Sequence, residues 1–211
     1  MPHACQQFPR VATLSPLGTS VTLSAFCPTA ASLLFGDAPF TIDTLDDRRG
    51  YEGLDARDVM PPLLRPGMLM DWDSVALWEE LAIATLSDHR HDGARALAII
   101  EAASADVCEH WTPAEGTLGD SLAYAFREAS GISVAPSGCG RAKDSSWAIA
   151  RYYASHAFAC WPMYDGRGIA GAVDWLLKAR TALDEERRSR ALLEAFRQTD
   201  LRLRHTLTSR P

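Results

Sequence analysis

The sequence lacks the short motifs that identify the common hydrolases, nucleotide-driven enzymes and zinc proteases. Its 211 residues contain no Gly-x-Ser-x-Gly, no P-loop and no His-Glu-x-x-His. These absences argue against those classes of enzyme, and they leave open an enzyme of another kind.

Cysteines are few, and none of them belong to a CxxC motif. The five cysteines lie far apart, at positions 5, 27, 108, 139 and 160. An odd number of isolated cysteines is typical of free thiols in a reducing compartment. We therefore expect a cytoplasmic protein.

Charged residues are absent from the run between Val11 and Gly36. A membrane span or a signal peptide would need a compact apolar helix there, but Pro16, Gly18 and Pro28 interrupt the run. The pattern favours strands, and we expect no contact with a membrane.

The formal net charge is −6, and it is unevenly distributed. Residues 181–211 carry seven arginines and five acidic residues, a net charge of +2, whereas residues 1–180 carry −8. This balance argues against nucleic-acid binding. A basic end on an acidic body can dock an acidic partner, although a solvated helix face explains the same charges.

Alternating polar and apolar residues predict strands near the N-terminus. The alternation covers Val21 to Ala25 and Phe40 to Asp43, with turn residues at 15–18 and 36–39. Residues 46–50 and the proline-rich stretch 60–67 are expected to be irregular, as are the lead 1–10 and the connection 131–143.

Helical periodicity takes over in the rest of the chain. Apolar residues recur at helical spacing in segments 74–86, 93–111, 117–131, 144–161, 169–183 and 192–207. In segment 144–161 the stripe that starts at Trp147 and ends at Trp161 is predicted to face the core, and Pro162 is predicted to end the helix.

These patterns predict an α+β fold that is predominantly α-helical. A small N-terminal antiparallel β region is followed by an irregular bundle of about six helices. We expect residues 1–60 to form a β-rich subdomain with a linker, and residues 61–211 to form one compact helical domain.

A Gly-x-Gly-x-x-Gly sequence occurs at Gly166, Gly168 and Gly171. In a dinucleotide-binding fold this motif follows a strand, but here it follows a predicted helix that ends at Pro162. We therefore interpret Gly171 as a residue that lets two helices approach closely, and we expect no cofactor. A second hypothesis is that Arg167 and the free N–H groups at the start of the following helix bind an anion.

His156 and Cys160 are four residues apart on a predicted helix, a spacing that brings two side chains together. A histidine beside a thiolate is the arrangement of a nucleophilic pair. Alanines surround both residues, so a packed thiol and a core histidine are the competing interpretation.

His89 and His91 lie in one acidic turn, which raises the question of a metal site. A zinc site needs a third ligand from another part of the chain, and the sequence indicates none. We expect no bound metal.

Aromatic and arginine residues are concentrated at the joint Trp161–Gly168 and in the helix before it. Such residues are enriched at protein interfaces. The predicted binding residues are those expected to be exposed there, together with two arginines at the start of the last helix: Tyr152, Tyr153, Tyr164, Arg167, Arg187 and Arg188.

Two functional hypotheses follow. The first is a non-enzymatic cytoplasmic protein that binds another protein, as a regulator, adaptor or immunity-type inhibitor. The alternative is a small-molecule enzyme or ligand-binding protein with an anionic ligand held at the joint, where His156 and Cys160 would do the chemistry.

Overall fold

A computed structural model describes residues 8–38, 40–46, 50–131 and 143–208. The N-terminal part forms a three-stranded mixed sheet in the order β2–β1–β3. Strands β1 (Arg10–Ser15) and β2 (Gly18–Leu23) form an antiparallel hairpin, and β3 (Leu54–Asp55) pairs parallel to β1. A second hairpin joins β4 (Leu63–Arg65) and β5 (Met68–Leu69).

Seven α-helices occur in the described parts of the chain. Their bounds are α1 Pro28–Leu33, α2 Trp72–Asp88, α3 Gly93–His110, α4 Leu118–Gly131, α5 Lys143–Ala157, α6 Gly168–Glu186 and α7 Leu192–Thr208. The predominantly helical α+β fold is therefore the one that the sequence predicts.

Local side-chain chemistry fixes the starts of two of these helices. Asp71 accepts a hydrogen bond from the backbone N–H of Ser74 at 2.7 Å, and Asp92 accepts one from the N–H of Arg95 at 3.0 Å. Both bonds satisfy donors that the first turn of a helix leaves free. The Asp92 cap thus fixes the point at which the turn between α2 and α3 ends and α3 begins.

One hydrophobic core is shared by helices α2 to α7. Helix α6 packs against α3, α5, α7 and β4, while α2 packs against α3, α4 and α5. The largest fully buried side chains are Trp78, Tyr152, Phe196, Leu64, Leu86, Leu97, Ile99, Ile100, Leu122, Ile169, Leu176 and Leu183. The indole of Trp78 donates to the Ser104 hydroxyl at 2.9 Å, so its one polar atom is satisfied inside the core.

Several local predictions are wrong. The segment that begins at Phe40 was predicted to be a strand but is irregular. The proline-rich stretch was predicted to be irregular but contributes to a hairpin, in which a turn at Pro66 and Gly67 connects two short strands. Helix α1 was not predicted. The connection predicted at 131–143 lies almost wholly outside the described residues.

Candidate functional site

Two glycines of the joint, Gly168 and Gly171, let backbones pack closely against each other. Instead of a strand, a turn of 3-10 helix precedes the motif, at Trp161–Met163. A Cβ atom on Gly168 would lie 1.7 Å from the carbonyl oxygen of Leu63, and one on Gly171 would lie 2.5 Å from that of Pro162. The interpretation of these glycines as points of close approach is confirmed. A dinucleotide-binding motif would need a strand before the glycines, and this chain has a 3-10 turn there.

The two candidates at the joint, the exposed Arg167 and the half-buried Tyr164, already have partners. Arg167 donates to the carboxylate of Asp174 at 2.7 Å. The ring of Tyr164 stacks on Trp72 with centroids 6.3 Å apart, and burial raises the pKa of its hydroxyl to about 12. Any anion at Arg167 would compete with Asp174.

His156 and Cys160 are not on one helix. Helix α5 ends at Ala157, and Ala159 has a φ of +52°, so Cys160 lies in the turn that follows. The i, i+4 geometry expected for the pair is therefore wrong. Both side chains are buried, and burial raises the pKa of the Cys160 thiol far above its usual range. A thiol in this environment stays protonated and is a poor nucleophile.

The imidazole of His156 is held between two partners. Its Nδ1 accepts the indole N–H of Trp175 at 3.2 Å, and its Nε2 lies 3.6 Å from the Asp200 carboxylate. Burial lowers the pKa of His156 to about 4. The Trp175 bond requires an unprotonated Nδ1, so the proton of the neutral ring resides on Nε2 and faces Asp200.

Asp200 is the centre of a buried polar cluster that the sequence gives no reason to select. Its Oδ2 accepts the Ser24 hydroxyl at 2.5 Å, the Nε–H of Arg204 at 2.8 Å and the backbone N–H of Phe26 at 3.3 Å. The cluster ties the turn that follows β2 to α7. The only sequence signal is the i, i+4 spacing of Asp200 and Arg204.

The expected exposure of Tyr152 and Tyr153 is wrong. Their exposed fractions are 0% and 3%, because Tyr152 stacks on Phe196 with centroids 4.8 Å apart while Tyr153 packs in the same core. Trp147, which was predicted to face the core, is only half-buried. The buried face of α5 is thus rotated toward the tyrosines.

Three of the predicted binding residues nevertheless meet at one site. Tyr153, Arg187 and Arg188 line a cavity of about 420 Å³, together with Arg180 and His91. We call this cavity the arginine cleft. Its walls come from the turn between α2 and α3, from α5 and from the end of α6. Since α7 begins at Leu192, both arginines lie in the turn before the last helix and not on it.

Two of the three arginines in the cleft, Arg180 and Arg187, form ion pairs with an acid, and the third, Arg188, forms none among the described residues. Asp184 lies 3.5 Å from Arg187 and 3.9 Å from Arg180, and Asp92 caps α3. The nearby acids Glu185 and Glu186 are paired with Arg202 and Arg190. Arg188 is exposed and forms no ion pair with any residue that the structure describes. Within the described part of the chain, the cleft therefore presents one exposed arginine that no acid pairs with.

Neither a metal centre nor a membrane helix is found within the described ranges. No three His, Cys, Asp or Glu side chains come together there as a metal site would require. None of the described helices has both the length and the apolar character needed to cross a bilayer.

The fold and the cleft define the class of molecule: a mainly helical α+β protein with an arginine-lined, partly aromatic cleft. The chain matches no protein-family model, and neither a curated protein nor a solved structure is significantly similar to it. The function is therefore inferred from the site itself.

Proposed function

We propose that this chain is a non-enzymatic binding protein that holds an acidic segment of another protein in the arginine cleft. The observation that supports this proposal most directly is the convergence of Arg180, Arg187 and Arg188 beside the buried ring of Tyr153. Arginine forms bidentate hydrogen bonds with carboxylates, and arginine and tyrosine are enriched among residues that dominate binding energy.

The exposed Arg188 is the first anchor for a carboxylate. Among the described residues it has no acid to release, so a carboxylate pairs with it without breaking an ion pair to any of them. Arg180 and Arg187 share Asp184 at distances of 3.9 Å and 3.5 Å, which leaves N–H groups of both for a second carboxylate.

The acidic remainder of the protein favours selectivity for this one face. Residues 1–180 carry a net charge of −8, which repels an acidic partner elsewhere on the surface. The three cysteines that the structure describes, Cys27, Cys108 and Cys160, are free thiols, which supports a reducing compartment, and we place this binding in the cytoplasm.

The enzymatic alternative has less support. It needs a reactive thiolate beside a basic imidazole, whereas the Cys160 thiol is buried with a raised pKa and the imidazole of His156 has a lowered pKa. Neither group has the protonation state at neutral pH that a thiolate–imidazolium pair requires.

The test is the binding of a dye-labelled peptide rich in Asp and Glu with one central Tyr, followed by fluorescence anisotropy. A matched peptide in which Asn and Gln replace the acids measures the contribution of charge. We expect the acidic peptide to bind the wild-type chain more tightly, with an affinity that falls as salt is added. The double variant Arg187→Glu/Arg188→Glu should weaken binding by at least about tenfold.

The control is Arg10→Glu/Arg127→Glu, which changes net charge equally at exposed sites outside the cleft. Equal weakening in both double variants would mean non-specific attraction and would contradict the proposal. If Arg167→Glu weakened peptide binding and the cleft variant did not, the binding site would lie at the joint Trp161–Gly168. No difference between the two peptides would also overturn the proposal.

A further inference from the structure

A second cavity, of about 270 Å³, lies on the other side of α5 from the arginine cleft. Its lining includes Asp37, Phe40, Leu86, Arg90, Trp147 and Arg151. We call it the Trp147 cavity. Trp147 and His91 separate it from the cleft, since the indole N–H donates to the His91 Nδ1 at 3.2 Å.

Arg151 is a buried cation to which none of the described residues supplies a bonded anion. Only 9% of the residue is exposed, and its guanidinium donates to three backbone carbonyls, those of Leu34, Gly36 and Ala38. Asp37 acts on it only through space, without a hydrogen bond or an ion pair in the described structure. Burial of a charge is costly unless an opposite charge compensates it. An anion in the adjoining cavity would supply that compensation.

The guanidinium of Arg151 also has donors left over. The three carbonyls use two N–H groups of Nη1 and one of Nη2. Of the five N–H groups of an arginine, two therefore have no acceptor among the described residues. A carboxylate needs two such donors.

An aromatic wall stands next to this cation. The Arg90 guanidinium lies over the Trp147 ring at 4.3 Å, and the Arg151 guanidinium lies 5.8 Å from the same ring. Phe40 and Leu86 complete an apolar lining. Arg90 is exposed and forms no ion pair with the residues described, so it is free to close over a bound anion.

We propose that the Trp147 cavity binds a small aromatic carboxylate, whose carboxylate pairs with Arg151 and Arg90 while its ring packs against Trp147 and Phe40. With Asp37 the lining carries two positive charges and one negative, which suits a monoanion. A volume of about 270 Å³ holds roughly nine water-sized groups, the size of a single substituted ring. The proposal goes beyond the acidic-partner function and uses none of the three arginines of the cleft.

The test uses benzoate as the probe, titrated into the full chain by calorimetry and by ¹⁵N NMR of the indole N–H signals. Cyclohexanecarboxylate has the charge without the aromatic ring, and benzamide has the ring without the charge. We expect saturable binding of benzoate that is tighter than binding of either analogue, with the Trp147 indole signal shifted. Trp147→Phe assigns that signal.

Arg90→Gln and Trp147→Leu should each weaken benzoate binding by about tenfold, because each removes one side of the site. Both positions are partly or fully exposed, and circular dichroism checks that the variants are folded. Arg188→Gln in the arginine cleft is the matched control and should bind benzoate as the wild type does.

Three results would overturn the proposal: no saturable benzoate binding, equal binding of benzamide, or weakening by Arg188→Gln without weakening by Arg90→Gln. The last result would assign the anion to the arginine cleft. Loss of acidic-peptide binding in the cleft variants together with unchanged benzoate binding would show that the two sites are independent.

Discussion

His156 and Asp200 face each other where α5 approaches α7, with 3.6 Å between the imidazole Nε2 and the carboxylate Oδ1. Despite this carboxylate, burial lowers the pKa of His156 to about 4, and the nearby Arg204 acts in the same direction. The imidazole is therefore neutral inside the fold and accepts from Trp175, while the carboxylate takes its shortest bonds from Ser24 and Arg204.

The first prediction concerns acid stability. The folded-state pKa of His156 lies below its unfolded value of about 6.5, so the unfolded chain takes up the proton first as the pH falls. The His156 contribution is fully present above pH 6.5 and is lost as the pH falls toward 4, by up to about 3 kcal/mol. Histidine NMR should show a ring that stays neutral down to about pH 4.

The control for this prediction is His156→Gln, which assigns the NMR signal and should gain stability relative to the wild type as the pH falls from 6.5 to 4, because only the wild type loses the His156 contribution. A further loss at lower pH should persist in the variant, because Asp200 keeps a lowered pKa. An imidazole that titrates at its ordinary pKa would contradict the buried environment of His156.

The second prediction concerns Glu79 on α2. Its carboxylate accepts the backbone N–H of Ala159 at 2.5 Å, and burial raises its pKa to about 7. The folded state holds the proton more tightly than the unfolded state, so this contribution to stability is present below about pH 4.5 and is lost as the pH rises to 7. At pH 8, Glu79→Gln should be more stable than the wild type by about 2 kcal/mol, a value discounted for partial exposure.

Chemical denaturation at pH 4.5 and pH 8 measures this effect, and the benefit of Glu79→Gln should be confined to the higher pH. Glu80→Gln is the matched control, because Glu80 is the exposed neighbour on the same helix. The pH dependences of Glu79 and His156 oppose each other, so the wild-type curve should be flat between about pH 4.5 and 6.5. If the Glu79→Gln variant were less stable than the wild type at pH 8, the ionised carboxylate of Glu79 would be stabilising the fold, which would contradict the prediction.

Helix positions were readable from the sequence because their determinants are local. Apolar spacing and caps act within a few residues, and the predicted segments 74–86 and 93–111 agree closely with α2 and α3. The end of α5 was misplaced for the opposite reason. Ala159 is held by Glu79, 80 residues away, and by the hydroxyl of Thr13, 146 residues away, and no local pattern encodes such contacts.

The predicted inward stripe of α5 is right at its centre and wrong at its ends. Ala150 and Ala154 of that stripe are buried, whereas Trp147 and Trp161 are only half-buried. Small side chains allow close helix packing, so Ala148 and Ala157 outside the stripe are buried as well. The arginine cleft is lined by residues as far apart in the sequence as His91 and Arg188. The sequence indicated Arg187 and Arg188 as binding residues, but it could not show that they meet His91 in one cavity.

The third prediction separates two glycines of the joint. Gly166 and Gly168 have φ values of +86° and +57°, yet a Cβ atom would meet nothing within 4 Å at Gly166 and would overlap the Leu63 carbonyl at Gly168. Gly166→Ala should therefore cost only the conformational penalty of about 1–2 kcal/mol. Gly168→Ala should cost more than about 4 kcal/mol, since β4 and α6 must separate.

Thermal and urea unfolding of the two variants measure this difference. The comparison is matched because both substitutions place a methyl group on left-handed backbone in the same joint. Equal costs would show that the close approach of β4 to α6 contributes nothing beyond backbone conformation.

The fourth prediction concerns the reactivity of Cys160. A thiol reacts through its thiolate, and the raised pKa and burial of Cys160 leave almost none at neutral pH. Native protein treated with iodoacetamide at pH 7.5 should modify Cys160 at least about a hundredfold more slowly than the half-buried Cys27. Peptide mass spectrometry gives both rates in one sample, and the two rates should become similar in denaturant. Native modification of Cys160 at the rate of Cys27 or faster would restore the His156 and Cys160 pair as a catalytic candidate.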